Sequence, residues 1–152
     1  MNRLIVVGHN EVAERLMQLA DLLGYAAVTA SDELPADLAK TDDVVIALDE
    51  DEAPRARDLL RRAAAENCRY IGLVAPHKQA VKLLLALSKE RVPKTRLDRI
   101  AAPAGVNIGA ETPGEIAVAV AAELVARHRS GETPLLDHAA NQSAARRRGK
   151  PS

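Results

Sequence analysis

The amino-acid sequence predicts an α/β fold of three layers. A parallel five-stranded sheet lies between helices, with its strands in the order 3-2-1-4-5. Three observations predict it. Five short apolar runs recur at residues 4–7, 26–30, 44–48, 70–74 and 99–102. A run that is apolar at every position, rather than at every second one, marks a strand buried on both faces. Stretches with apolar residues at helical spacing separate most of these runs, and strands alternating with helices imply parallel pairing. The length, 152 residues, is that of one domain, which buries roughly 70% of its unfolded surface without disulfides or a structural metal. Right-handed crossovers then give the stated order.

The first strand, Leu4-Ile5-Val6-Val7, ends on Gly8. Val12, Leu16, Leu19, Ala20 and Leu23 follow at helical spacing, and Gly24 supplies the stop. Residues 26–30 read as the second strand, and residues 34–40, with Pro35 near their start, as a short helix or a turn. Val44-Val45-Ile46-Ala47-Leu48 is the plainest strand, and a helix rich in Ala, Leu and Arg follows over 54–66. Tyr70-Ile71-Gly72-Leu73-Val74 is the fourth strand; Val81, Leu84, Leu85 and Leu87 then mark a helix over 78–89. Residues 99–102 make a short fifth strand. Thr112-Pro113-Gly114-Glu115 is a helix start: Thr caps, Pro takes the first helical position, and Glu closes a capping box. That helix runs to about residue 127. The domain spans residues 1–130, and residues 131–152, polar and without periodicity, are expected to form a disordered basic tail.

Composition excludes several classes of function. Aromatic residues are 1% of the chain, with no Trp and no Phe, so the stacking platforms of single-strand and RNA binders are missing. Net charge is zero, but of the 21 basic residues six lie from Arg127 onward, against two of the 21 acidic ones. The body is therefore mildly acidic, which argues against duplex DNA, since neutralising phosphates needs a cationic face. No nucleic-acid partner is expected. No apolar run approaches the roughly 20 residues of a membrane span, so no membrane partner is expected either. The apolar run at the N-terminus is too short for a signal peptide, which makes the expected location cytoplasmic. A single cysteine, Cys68, excludes an internal disulfide and a CxxC zinc or redox site.

Ligands of doubly wound sheets bind at the carboxyl ends of the strands. The loops there carry Gly8-His9-Asn10-Glu11, Ser31-Asp32-Glu33, Asp49-Glu50-Asp51, Ala75-Pro76-His77-Lys78 and Pro103-Ala104-Gly105-Val106-Asn107-Ile108-Gly109. The first invites a dinucleotide reading, because a Rossmann turn is G-x-G-x-x-G/A. Here Gly8 permits the tight turn and Ala13 the close packing of helix on strand, but the glycine that lets a pyrophosphate approach is Asn10, and Glu11 adds a carboxylate where the diphosphate would lie. Asp32, 24 residues after Gly8, stands near the place of a ribose-binding acid. A turn inherited with the fold explains the same residues, and NAD(P) binding is not expected. Asp49, Glu50, Asp51 and Glu52 suit a hard cation or merely complement a helix dipole, and no metal site is assigned. His77 is either an acid–base or anion-binding group at a helix start or an exposed loop residue. No Ser-His-Asp, Cys-His or paired-carboxylate arrangement is visible, so no catalytic residue is assigned.

Residues 102–115 are hard to explain as packing. They hold three glycines and two prolines and end at a capped helix start, a place that favours anions. Asn107, Gly109 and Glu111 are expected to line a crevice beside His9 and His77. The string Ala102-Pro103-Ala104-Gly105-Val106-Asn107-Ile108-Gly109-Ala110-Glu111-Thr112-Pro113-Gly114-Glu115-Ile116-Ala117-Val118, with Ala122-Glu123-Leu124-Val125-Ala126 after it, resembles the end of the Rossmann domain in the xanthine dehydrogenase accessory protein family (XdhC/CoxI). Family members read aP-G-l-d-I-G-A-e-T-P-e-E-I-A-v, then A-E-i-v. The resemblance covers residues 1–129 and implies a Rossmann-like fold.

It also implies a role in maturing molybdenum hydroxylases of the xanthine or carbon monoxide dehydrogenase type, as an accessory protein or chaperone. The implied cofactor is the molybdenum cofactor, a molybdopterin. The implied partners are the apoenzyme or another maturation factor, and a homodimer is expected. The candidate cofactor-binding residues are Gly8, His9, Asn10, Asp32, Asp49, His77, Lys78, Asn107, Gly109 and Glu111. Three departures from the family stand out. Asn10 replaces the second loop glycine; Ala75-Pro76-His77-Lys78-Gln79 replaces a G-S-r-r-k loop, keeping one cation; and no counterpart of the family's separate N-terminal domain with its cysteine is expected, as in a stand-alone Rossmann half. An NAD(P)-binding oxidoreductase domain and a ligand-free interaction domain are the alternatives.

Overall fold

The computed structural model describes residues 3–30 and 33–130. Its strands are β1 (Arg3–Val7), β2 (Ala26–Ala30), β3 (Asp43–Ile46), β4 (Tyr70–Leu73) and β5 (Ile100–Ala101). Its helices are α1 (Glu11–Leu22), α2 (Ala53–Ala65), α3 (His77–Lys89), α4 (Lys94–Leu97) and α5 (Pro113–Ser130), with a 3-10 turn at Glu50–Glu52. The five strands form one parallel sheet. Ile5 stands between Val28 and Val44 in register, Val44 faces Ile71, and Ile71 faces Ile100. The expected α/β Rossmann-like architecture is present.

The strand order is β2-β1-β3-β4-β5, which corrects the expected 3-2-1-4-5. An order with β3 outside β2 needs a crossover helix between them. Among the described residues of that connection, residues 34–40 take the turn and not the helix. Apolar content decides which strand lies at the edge. All four residues of β3 are buried, whereas Ala26 and Thr29 of β2 are exposed. The more apolar strand therefore takes the centre, beside β1, and the alanine-rich one takes the rim. Right-handed crossovers in the two directions from β1 place helices on opposite faces. Accordingly α1 and α5 cover Leu4, Val6, Val45 and Tyr70, while α2 and α3 cover Ile5, Val7, Val44, Ile46, Ile71 and Leu73. The chain reverses its direction of travel between β1 and β3, so the crevice rule points to the loops that follow those two strands.

Polar side chains tie the layers together at long range. At the amino edge, Arg3 holds the buried Asp42 at 2.6 Å and keeps its carboxyl below the usual range. Beside it, His128 Nε2 lies 2.8 Å from Asp43 Oδ2, and Tyr25 stands edge-on to the His128 ring. Burial raises the Asp43 carboxyl, and the hydrogen bond with His128 pulls it partly back. Between β4 and α5, the buried Tyr70 hydroxyl donates to Glu123 Oε1, which also accepts from the Gly105 amide at 3.1 Å. Burial, and then the adjoining carboxylate, push the Tyr70 phenol well above its usual value. A Cβ on Gly72 would stand 2.7 Å from that tyrosine ring, so glycine is what lets Tyr70 lie flat along its own strand. No helix of the described residues is long and apolar enough to cross a membrane. Residues 131–152, expected to be a tail, lie outside the described residues.

Candidate functional site

Four helices, α1, α2, α3 and α5, begin at the carboxyl edge of the sheet, and their starts treat the free amides differently. At α1, Gly8 has φ +130°, and a Cβ there would collide with the Ala47 carbonyl. The turn thus presses directly on the end of β3. Asn10 then works in both directions. Its Oδ1 accepts from the Ala13 amide at 2.9 Å, and its Nδ2 donates to Ala47 O at 2.8 Å and reaches Asp49 Oδ1 at 3.3 Å. One side chain caps the helix and bridges the two loops at the reversal point. Glu11 pairs with Arg15 one turn along. A small cavity of about 310 Å³ beside this turn is lined by Gly8, His9, Ala13, Glu14, Met17, Gln18 and Thr29.

At α5 the capping box is closed. Glu115 Oε1 accepts from the Glu111 and Thr112 amides at 2.9 and 3.0 Å, and Thr112 Oγ1 accepts from the Glu115 amide at 3.1 Å. Upstream, the Ala104 amide extends the ladder of β4 by donating to Leu73 O, and Ala104, Val106 and Ala110 are buried. The Asn107 side chain is spent locally on the Gly109 amide at 3.3 Å. This segment packs as a shaped plug under α5. Its residues line neither the His9 cavity nor the one at α3, and β3 stands between β1 and β4. The expectation that strands one and four are neighbours, which brought Asn107, Gly109 and Glu111 to His9 and His77, falls with the strand order.

At α3 the start is open. Pro76 is the N-cap and offers no side-chain acceptor to the first-turn amides. Here a cavity of about 440 Å³ is lined by Glu50, Ala53, Pro76, Lys78, Gln79, Lys82 and Leu83. Lys78 and Lys82, one helical turn apart on an exposed face, make no ion pair among the described residues. His77, the first residue of α3, is exposed beside them. Helix amides and two ammonium groups on one cavity attract an anion. Lys82 is the residue that reading the loops misses, because it lies inside the helix; its spacing of four from Lys78 is the signal that finds it.

The remaining candidates sort simply. Asp49, Asp51 and Glu52 bring carboxylate oxygens within 4.8 Å of one another, but they build a helix start. The Glu52 amide donates to Asp49 O at 2.9 Å, and Glu52 pairs with Arg55 at 2.9 Å. Asp32 lies outside the described residues. Cys68 is buried at the opposite edge, before β4, where burial pushes its thiol up to about 11.

A doubly wound sheet with a glycine-pressed first turn, and with its open helix start at the carboxyl edge, is a domain of the Rossmann class. More narrowly, a family model of the XdhC Rossmann domain matches residues 4–124, and the chain belongs to that family, the xanthine dehydrogenase accessory proteins. It is similar to a protein of Bacillus halodurans whose crystal structure is described as that of a xanthine dehydrogenase. The TM-score is 0.67 at 23% identity, over 88% of this chain and 45% of that one. It is also 36% identical over 69 residues to an uncharacterized protein of Escherichia coli strain K12, YqeB, a stretch that is 45% of this chain and 13% of YqeB. The chain thus matches less than half the length of either.

Proposed function

We propose that this domain is an accessory factor in the maturation of a molybdenum hydroxylase, and that it holds the phosphate end of a molybdopterin over the start of α3. The observation that carries the reading is the uncapped first turn of α3 with Lys78 and Lys82 on the same cavity. Family membership supports this choice of cargo, and the cavity is suited to its anionic part. This chain's residues would contribute the α3 amides and the Lys78 and Lys82 ammonium groups, while the Glu50 carboxylate on the same cavity opposes the anion. Cys68 is buried at the far edge of the sheet, away from the start of α3. The Asn10 bridge fills the β1 turn from within, which favours cofactor carriage at α3 over NAD(P) chemistry at α1.

The experiment compares retention of molybdopterin, released from a molybdenum hydroxylase, by the wild-type chain and by the Lys78→Ala/Lys82→Ala variant. The expected result is retention by wild type and binding at least about 10-fold weaker in the variant, a difference of about 1.4 kcal/mol, at an unchanged melting temperature. Equal retention by both removes the α3 site, and no retention by either removes the carrier role.

A further inference from the structure

The opposite end of the α1/α5 layer carries a different surface. Leu19, Leu22 and Leu23 of the α1 end face Val118, Ala121, Ala122, Val125 and Ala126 of α5 across an open groove of about 610 Å³, with Arg129 at its mouth. Leu22 is 82% exposed and Val118 is 47% exposed. Single exposed leucines are ordinary, but a contiguous apolar trough bounded by a cation marks a contact surface.

We propose that the occupant of this groove is the chain's own segment Pro134-Leu135-Leu136. The last described residue, Ser130, directly follows Arg129 at the mouth of the groove. From there Leu136 is six residues on, a reach of about 20 Å in extended chain. Back along α5, Val118 is about 18 Å from Ser130, so the leucine pair can reach any part of the trough. Leu135 and Leu136 are the only large aliphatic residues in 131–152, and the only acids there, Glu132 and Asp137, flank them closely. Those acids match the cation at the mouth, since Arg129 has no ion pair among the described residues. A tether of a few residues gives the segment an effective concentration in the millimolar range, above that of a second copy at ordinary protein concentrations.

The test uses the full chain with Leu22→Cys and Leu136→Cys, oxidised mildly at low micromolar concentration. Cys68 does not compete, because it is buried. The expected product is a monomer with an internal disulfide. A disulfide-linked dimer assigns the groove to a second copy, and the absence of any link leaves the segment elsewhere; either overturns the proposal. A second variant, Leu135→Asp/Leu136→Asp, leaves the groove residues untouched. Its expected signature is a several-fold rise in the fluorescence of an apolar-surface dye at an intact far-ultraviolet spectrum, and fluorescence equal to wild type overturns the proposal.

Discussion

The starts of α1 and α3 lie at the same edge of the same sheet and do opposite things with the same physics. Both present amides and the positive end of a helix dipole. At α1 those groups are answered from within, by Asn10, whose amide also clamps the β3 loop. At α3 a proline precedes the helix and no side chain caps it. The turn that most often holds phosphate in this fold has become a structural joint, and the anion site proposed above stands two strands along, next to Lys78 and Lys82. A fold's customary ligand position is therefore a prior and no more; the hydrogen-bond accounting of each helix start decides where a ligand can sit.

The comparison can be broken most severely at Gly8. Gly8→Ala puts a methyl group into the Ala47 carbonyl at a φ that alanine rarely adopts, and the expected loss is about 3 kcal/mol or more, read by urea denaturation. A loss under 1 kcal/mol means that the joint is loose. Next comes Asn10→Ala, with an expected loss of about 1 kcal/mol for the cap and no change in molybdopterin retention. Weaker retention would show that the α1 turn takes part in binding after all. A smaller effect of opposite sign is expected at α3. Pro76→Asp should be more stable than Pro76→Ala by up to about 1 kcal/mol, because it supplies the missing cap, and it should retain the anionic cofactor less well than Pro76→Ala does. Equal stability of the two variants means that the α3 amides are already satisfied. The smallest effect belongs to Cys68. With its thiol pushed up to about 11, it stays protonated at pH 8 in the folded chain, and alkylation there should proceed only as fast as the protein opens. Rapid labelling at pH 8 contradicts the burial.

The five strands and helices α1, α2, α3 and α5 were legible because each obeys a local rule, whereas the four-residue α4 carries no such signal and was not expected. The apolar run before Gly8, the spacing of Val12, Leu16, Leu19 and Leu23, and the Thr112–Glu115 box all fit within about three helical turns of chain or less. The order of the strands was not legible in the same way. It depends on which of two candidate strands buries more apolar area, and on whether residues 34–40 form a helix or only a turn. That order is what sets Asn10 against Ala47 and separates the 102–112 loop from His9. The pairs His128–Asp43 and Tyr70–Glu123 join residues 85 and 53 positions apart, and nothing local in the sequence marks either partner. Lys82 was hidden for a simpler reason: it sits one turn inside a helix, and a search confined to loops stops short of it.

The bond network around Glu123 has a consequence for anyone who would transplant this loop. Glu123 Oε1 receives both the Tyr70 hydroxyl and the Gly105 amide, and Gly72 makes room for the ring of Tyr70. The shape of residues 102–112 is therefore written partly in α5 and partly in β4. A graft that moves the loop alone into a related scaffold carries its glycines and prolines but leaves its scaffolding behind. The portable module is the loop together with Gly72, Tyr70 and Glu123, and a recipient lacking that carboxylate must supply another acceptor for the Gly105 amide before the borrowed segment can keep its form.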